Sequence, residues 1–72
     1  MTQRELEGLW IKSALPSVQY RFSDEVRATS GTHAGKAGRV VALLAVDPAP
    51  FYVIEEAEGT SFNATQPELE RL

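Results

Sequence analysis

The chain has 72 residues, no cysteine and a formal net charge of −3. A chain this short forms one domain with a thin core, because it buries only about 60% of the surface that it exposes when unfolded. The lack of cysteine excludes disulfides and thiolate zinc sites, and the negative charge disfavours a protein whose affinity comes mainly from nucleic-acid phosphates.

The first predicted element is a helix over residues 3–14. Thr2 and Glu5 have the spacing of a capping box, in which a threonine hydroxyl accepts a hydrogen bond from a backbone amide of the first turn. The apolar residues that follow at helical spacing are Leu6, Leu9 and Trp10. Pro16 limits the helix at its other end. We predict that residues 1–17 form a helical or extended segment packed on the rest of the chain; the alternative is an amphipathic helix that docks on a partner.

Residues 18–72 consist of short alternating runs separated by turn residues, a pattern typical of small barrels. The first run, residues 18–22, is predicted as a short strand or an extended arm. The further predicted elements are strands at 26–30, 39–46, 51–56 and 60–65, one helical turn at 66–69 and a last short strand at 70–72. We therefore predict a mainly β fold: a small SH3-like, partly open antiparallel barrel of four or five strands.

The run from Arg39 to Val46 is apolar on both faces, so one face must be covered by something other than the core of the barrel. The N-terminal segment is the expected cover, and an uncovered strand would invite a partner. The apolar part of this run is too short to span a membrane, and the first residues lack the apolar stretch of a secretion signal. We expect a cytoplasmic protein with no membrane partner.

Residues 26–40 carry a recognisable pattern of glycines and alternating residues. They read Val-x-Ala-x-Ser-Gly-x-x-x-Gly-Lys-x-Gly-x-Val, which resembles the KOW motif of some ribosomal proteins and transcription elongation factors. The remainder is similar to other SH3-like barrels, including photosystem accessory subunits, and the whole layout resembles small uncharacterised bacterial proteins. The resemblance implies an SH3-like barrel whose loop, with Gly35 at its centre, meets RNA or protein.

The three glycines of this pattern also have a purely structural interpretation. A glycine supplies a positive φ, or allows another backbone to approach closely, where a side chain would clash. We expect Gly31, Gly35 and Gly38 to shape the loop in this way, and that role needs no ligand.

Basic residues in and beside the loop form the first candidate binding site, for RNA or for a protein partner. They are Arg27, His33, Lys36 and Arg39. Four such groups would give weak, salt-sensitive binding to phosphates, and the alternative is that they are solvated charges on a barrel turn. His33 is the only histidine and has no neighbouring nucleophile or metal ligand in the sequence, so we predict neither catalysis nor a metal site there.

The aromatic residues form the second candidate site. Alternation predicts that Phe22, Phe62 and one of the pair at 51–52 face inward. Three others are then candidates for exposure to a partner: Trp10, Tyr20 and Tyr52, the last only if Phe51 is the inward member of its pair. The alternative is that all of the aromatics fill the core.

These observations lead to three expectations of function. The first is a small non-enzymatic module that binds another protein, without cofactor or metal. The second is a KOW-type module that binds RNA or the ribosome. The third is a small regulatory subunit of a larger enzyme, a role that other single SH3-like barrels have.

Overall fold

A computed structural model describes residues 2–72. The elements in chain order are helix α1 at Gln3–Ile11, strands β1 at Glu25–Ala28, β2 at Ala37–Ala45, β3 at Phe51–Glu55 and β4 at Ser61–Thr65, a 3₁₀ turn at Gln66–Glu68, and strand β5 at Leu69–Arg71. The strands form one antiparallel sheet in the order β4-β3-β2-β1-β5. The prediction of a mainly β, partly open antiparallel barrel with a helical or extended N-terminal segment is confirmed, and the segment is helical over Gln3–Ile11.

Helix α1 begins where the capping box predicts. The Thr2 hydroxyl accepts a hydrogen bond from the Glu5 amide at 3.2 Å, which satisfies one of the free amides of the first turn. The helix ends at Ile11, three residues earlier than expected, and Ser13 just beyond it has a φ of 58°. Its buried residues, Leu6 and Trp10, join the single apolar core of the barrel.

Strand β2 departs from simple alternation at two points. The register with β3 slips between Val40 and Ala42, and again between Leu43 and Ala45. Each slip places two residues of β2 opposite one residue of β3, as in a β-bulge. The buried positions, Val40 and Leu43, are therefore three residues apart rather than two, and Leu44 is exposed.

Helix α1 packs against β2, the strand that was expected to need a cover. The Gln3 side chain donates a hydrogen bond to the carbonyl oxygen of Leu43 at 2.7 Å. The predicted N-terminal unit, residues 1–17, includes Met1, which lies outside the described residues. Within residues 2–72, no helix has the length and apolar character needed to cross a membrane.

The segment between α1 and β1 is tied down although it is not part of the sheet. Residues 18–22 form no strand, so the first of the two alternatives for this run is wrong. The Trp10 indole donates to the carbonyl oxygen of Tyr20 at 2.7 Å. At the far end of the segment, the Ser23 amide donates to the carbonyl oxygen of Val40 at 2.7 Å. These contacts lay the segment along the barrel.

Candidate functional site

The glycines in and beside the loop between β1 and β2 are required by the backbone conformation and by close packing. Gly31 and Gly35 have φ angles of 84° and 94°, a region that residues with a Cβ rarely adopt. A Cβ on Gly31 would lie 2.0 Å from a carboxylate oxygen of Glu68. A Cβ on Gly38 would lie 2.3 Å from the carbonyl oxygen of Glu55 in β3. Each of the three glycines is thus explained by the fold itself, without a ligand.

The loop is also fastened to the 3₁₀ turn below it. The Thr29 amide donates to the carbonyl oxygen of Glu68 at 2.7 Å. The Glu68 carboxylate accepts from the Thr65 amide at 2.9 Å and from its hydroxyl at 2.8 Å. The hydrogen bond from the Thr65 amide, more than any other contact, lowers the pKa of Glu68 below its ordinary value.

The three arginine and lysine residues of the first candidate site each face a carboxylate. Cross-strand register puts Arg27 opposite Glu70 and Arg39 opposite Glu55, and both pairs form salt bridges. The Lys36 ammonium lies 3.9 Å from the Glu56 carboxylate. All of these pairs are exposed or partly exposed, so each contributes little to stability. The carboxylates nevertheless offset the positive potential that a phosphate would meet.

His33 lies against the core rather than free in solvent. It is half-buried, and its ring centroid is 5.1 Å from that of Phe62 with the planes tilted by 36°. Within residues 2–72, no three histidine, aspartate or glutamate side chains come together as a metal-binding group. The histidine therefore covers one end of the core.

The aromatic residues predicted to face a partner are buried instead. Trp10, Tyr20 and Tyr52 all belong to the core, and Tyr52 is fully buried. Tyr52, rather than Phe51, is thus the inward member of its pair. Phe22, which alternation placed in the core, is 61% exposed. The alternation ends there because Phe22 and Ser23 form a turn, in which Ser23 has a φ of 73°.

Tyr52 is the centre of a polar network that extends from the core to the surface. Its hydroxyl donates to the Gln66 side-chain oxygen at 2.5 Å and accepts weakly from the Tyr20 amide at 3.4 Å. The same Gln66 oxygen accepts from the Gln19 amide at 2.8 Å, and the Gln66 side-chain nitrogen donates to the Ser17 carbonyl oxygen at 3.0 Å. Burial raises the pKa of the Tyr52 hydroxyl above its ordinary value. The network anchors the α1–β1 segment and leaves Tyr52 no free group for a ligand.

One exposed apolar surface lies at the end of α1 and in the segment that follows it. Ile11 is 74% exposed, and Phe22 packs edge-on against Trp10 with ring centroids 6.4 Å apart. Trp10, Ile11, Arg21 and Phe22 line an open hollow of about 410 Å³, and we call these four residues the helix–loop surface. A partial signal for this surface is present in the sequence, because Phe22 directly precedes the polar Ser-Asp-Glu turn, at which the strand-like alternation ends.

A second hollow adjoins the helix–loop surface. It measures about 250 Å³ and shares Trp10 and Arg21 with the first hollow. Its apolar lining includes Leu15, Pro16 and Val18, of which Leu15 and Val18 are half-buried against the core. The two hollows adjoin each other, since Trp10 and Arg21 line both of them, and we call the pair of hollows the groove.

No protein-family model matches the chain, and no curated protein matches it significantly.

Proposed function

We propose that this protein is a small non-enzymatic interaction module that binds another protein through the helix–loop surface. The observation that carries the proposal is the exposure of Ile11 and Phe22 around one hollow, beside a buried tryptophan. An aromatic anchor next to a pocket is a frequent source of binding energy at protein interfaces. As part of the same proposal we place the module in the cytoplasm, in keeping with its lack of cysteine.

The proposal is favoured because these exposed side chains lie outside the core of the fold. The core consists of twelve buried apolar residues drawn from α1, the strands and Tyr20, and it includes neither Ile11 nor Phe22. Each of the two would gain contacts on burial, since removing apolar area from water is worth roughly 25 cal/mol per Å². A partner that covers them would therefore gain free energy without disturbing the barrel.

The alternative of a KOW-type RNA module has less support. It requires the basic residues around the loop to face phosphates, yet Arg27, Lys36 and Arg39 are engaged with carboxylates. The overall charge of −3 also repels phosphates. The third alternative, a regulatory subunit, is the special case of our proposal in which the partner is an enzyme.

The experiment is affinity capture from native lysate with the tagged protein and two variants. Phe22→Ser removes the aromatic side chain of the helix–loop surface. Leu72→Ser is the matched control, because Leu72 is 62% exposed but lines a different hollow. We expect a specific protein to be recovered by the wild type and by Leu72→Ser, and to be lost with Phe22→Ser.

The capture is repeated after treatment with ribonuclease. Recovery that survives ribonuclease and depends on Phe22 supports the proposal. Recovery of ribosomal proteins that ribonuclease abolishes, and that Lys36→Ala weakens while Phe22→Ser does not, would contradict it and support the KOW-type alternative.

A further inference from the structure

The basic residues of the chain divide into two groups by location. Within residues 2–72, four of the seven lysines and arginines form salt bridges, and all four lie on or beside the strands: Arg27, Lys36, Arg39 and Arg71. In the same part of the chain the other three face no carboxylate within salt-bridge distance: Arg4, Lys12 and Arg21. They all lie on α1 or in the segment that follows it.

Arg21 has the most distinctive position of the unpaired group. Its side chain is exposed and lines both hollows of the groove. Its backbone amide donates to the Asp24 carboxylate at 2.9 Å, and its carbonyl oxygen accepts from the Asp24 amide at 3.1 Å. Its guanidinium makes no hydrogen bond or salt bridge with the described residues. Asp24 itself pairs with Arg71 at 3.0 Å. The Arg21 guanidinium therefore remains free to bind an anion, and it can do so with two parallel hydrogen bonds.

We infer that the helix–loop surface binds a peptide segment in which a carboxylate is flanked on both sides by apolar side chains. This inference rests on the proposed function and specifies the partner of the same site. The carboxylate pairs with Arg21 at the junction, and Lys12 adds positive potential beside Ile11. One apolar side chain enters the hollow at Phe22, and the other enters the hollow lined by Leu15.

Charge complementarity favours this occupant over a second copy of the chain. In a symmetric dimer the same patch meets itself. The residues that line the two hollows include Arg21 but no aspartate or glutamate, so the arginine of each copy would meet no opposite charge there. The groove is also concave, which suits inserted side chains better than the flat surface of a lipid bilayer.

The inference is tested by selection from a display library of short random peptides, with the wild-type protein as bait. The selected peptides should be enriched in aspartate or glutamate between two apolar residues. The most enriched peptide is then titrated against the wild type and three variants. Arg21→Gln should weaken binding about tenfold, which is the loss expected for one well-placed ionic contact. Arg4→Gln makes the same change of charge outside the groove and should leave binding unchanged.

The third variant, Phe22→Ser, separates failure of this inference from failure of the proposed function. Circular dichroism first confirms that all variants are folded. Peptide binding that requires Phe22 but shows neither an acidic preference nor sensitivity to Arg21→Gln overturns the inference and leaves the proposed function standing. Absence of any enriched peptide, or binding that Phe22→Ser does not reduce, overturns both. Binding to phosphatidylserine vesicles that needs Phe22, without peptide enrichment, also overturns both.

Discussion

The β1–β2 loop and the helix–loop surface are both exposed, but they differ in how many of their side chains find an ionic or packing partner within the chain. In the loop, the glycines fit backbone requirements, His33 covers Phe62, and Lys36 faces a carboxylate. At the helix–loop surface, Phe22 is largely exposed and Arg21 has no ionic partner in the described chain. The motif that stands out in the sequence thus has structural roles within the fold, whereas the less conspicuous surface has apolar and charged side chains that the described chain leaves without partners.

The largest effect on stability is expected at Gly38, where a substitution tests whether the fold requires a glycine. Gly38→Val would drive a side chain into the backbone of β3, because even a Cβ would lie 2.3 Å from the carbonyl oxygen of Glu55. We expect a loss of about 3 kcal/mol in the free energy of unfolding, typical of an overpacked site that cannot relax. Urea denaturation followed by circular dichroism measures it. A loss below about 0.5 kcal/mol, the usual range of surface substitutions, would show that this glycine is not required by the fold.

A smaller loss of stability is expected when the hydrogen bonds of the Tyr52 hydroxyl are removed. Tyr52→Phe removes the hydroxyl that donates to Gln66 and accepts from the Tyr20 amide. The partners left in the interior lose a hydrogen bond, and we expect a cost of about 1–2 kcal/mol. The same denaturation experiment measures the change. Unaltered stability would mean that the Tyr52 hydroxyl contributes nothing to holding the α1–β1 segment, which its other hydrogen bonds would then hold without it.

A gain in stability is expected at Gly8 in α1. A Cβ built on Gly8 meets no atom within 4 Å, and alanine is favoured over glycine inside a helix by about 1 kcal/mol. Gly8→Ala should raise the free energy of unfolding by about that amount and raise the melting temperature. A decrease would contradict the open space around this position and would point to a close contact on the outer face of α1.

The Glu68 carboxylate provides a test that depends on pH. Hydrogen bonds from Thr65 lower its pKa in the folded state below the ordinary value of 4.5. Its contribution is therefore complete above pH 4.5 and is lost as the pH falls through the lowered pKa of the folded state. Thermal melts across this range should show a shallower acid dependence for Glu68→Gln than for the wild type. Parallel curves would mean that the hydrogen bonds from Thr65 to the Glu68 carboxylate add nothing to stability.

The smallest effect is expected at Lys36, which directly contrasts the loop with the helix–loop surface. Its ion pair with Glu56 is long, at 3.9 Å, and the lysine side chain is about half exposed. Lys36→Ala should change stability by about 0–1 kcal/mol and leave protein capture unaltered, whereas Phe22→Ser should abolish capture. Loss of capture with Lys36→Ala but not with Phe22→Ser would mean that the β1–β2 loop, rather than the helix–loop surface, binds the partner.

The sequence predicts much of this fold because local chemistry and tertiary packing agree over most of the chain. The capping box at Thr2 places α1, and the alternation after Pro50 places β3 and β4 within one residue of their ends. The turn at Gln66–Glu68 also lies where its proline predicts. The bulges in β2 are not predicted, because a continuous run of apolar residues has no alternation in which an extra residue would be visible.

The candidate site was harder to predict for a physical reason. Trp10 and Tyr20 are amphipathic, so sequence alone does not say whether the polar atom reaches a partner inside the barrel. The structure supplies that partner for both: the Tyr20 carbonyl oxygen for the indole, and the Leu69 carbonyl oxygen for the phenol. Phe22 lies in a turn rather than a strand, so the rule of alternation gives the opposite of its true orientation.

The central claim is that the helix–loop surface binds a partner while the β1–β2 loop is structural. The most direct measurement is two-dimensional amide NMR of the ¹⁵N-labelled protein during titration with its captured protein or selected peptide. We expect the largest changes in amide chemical shift at residues 10–13 and 20–23, with little change at residues 29–36. Changes concentrated at residues 29–36, with Ile11 and Phe22 unaffected, would contradict the claim.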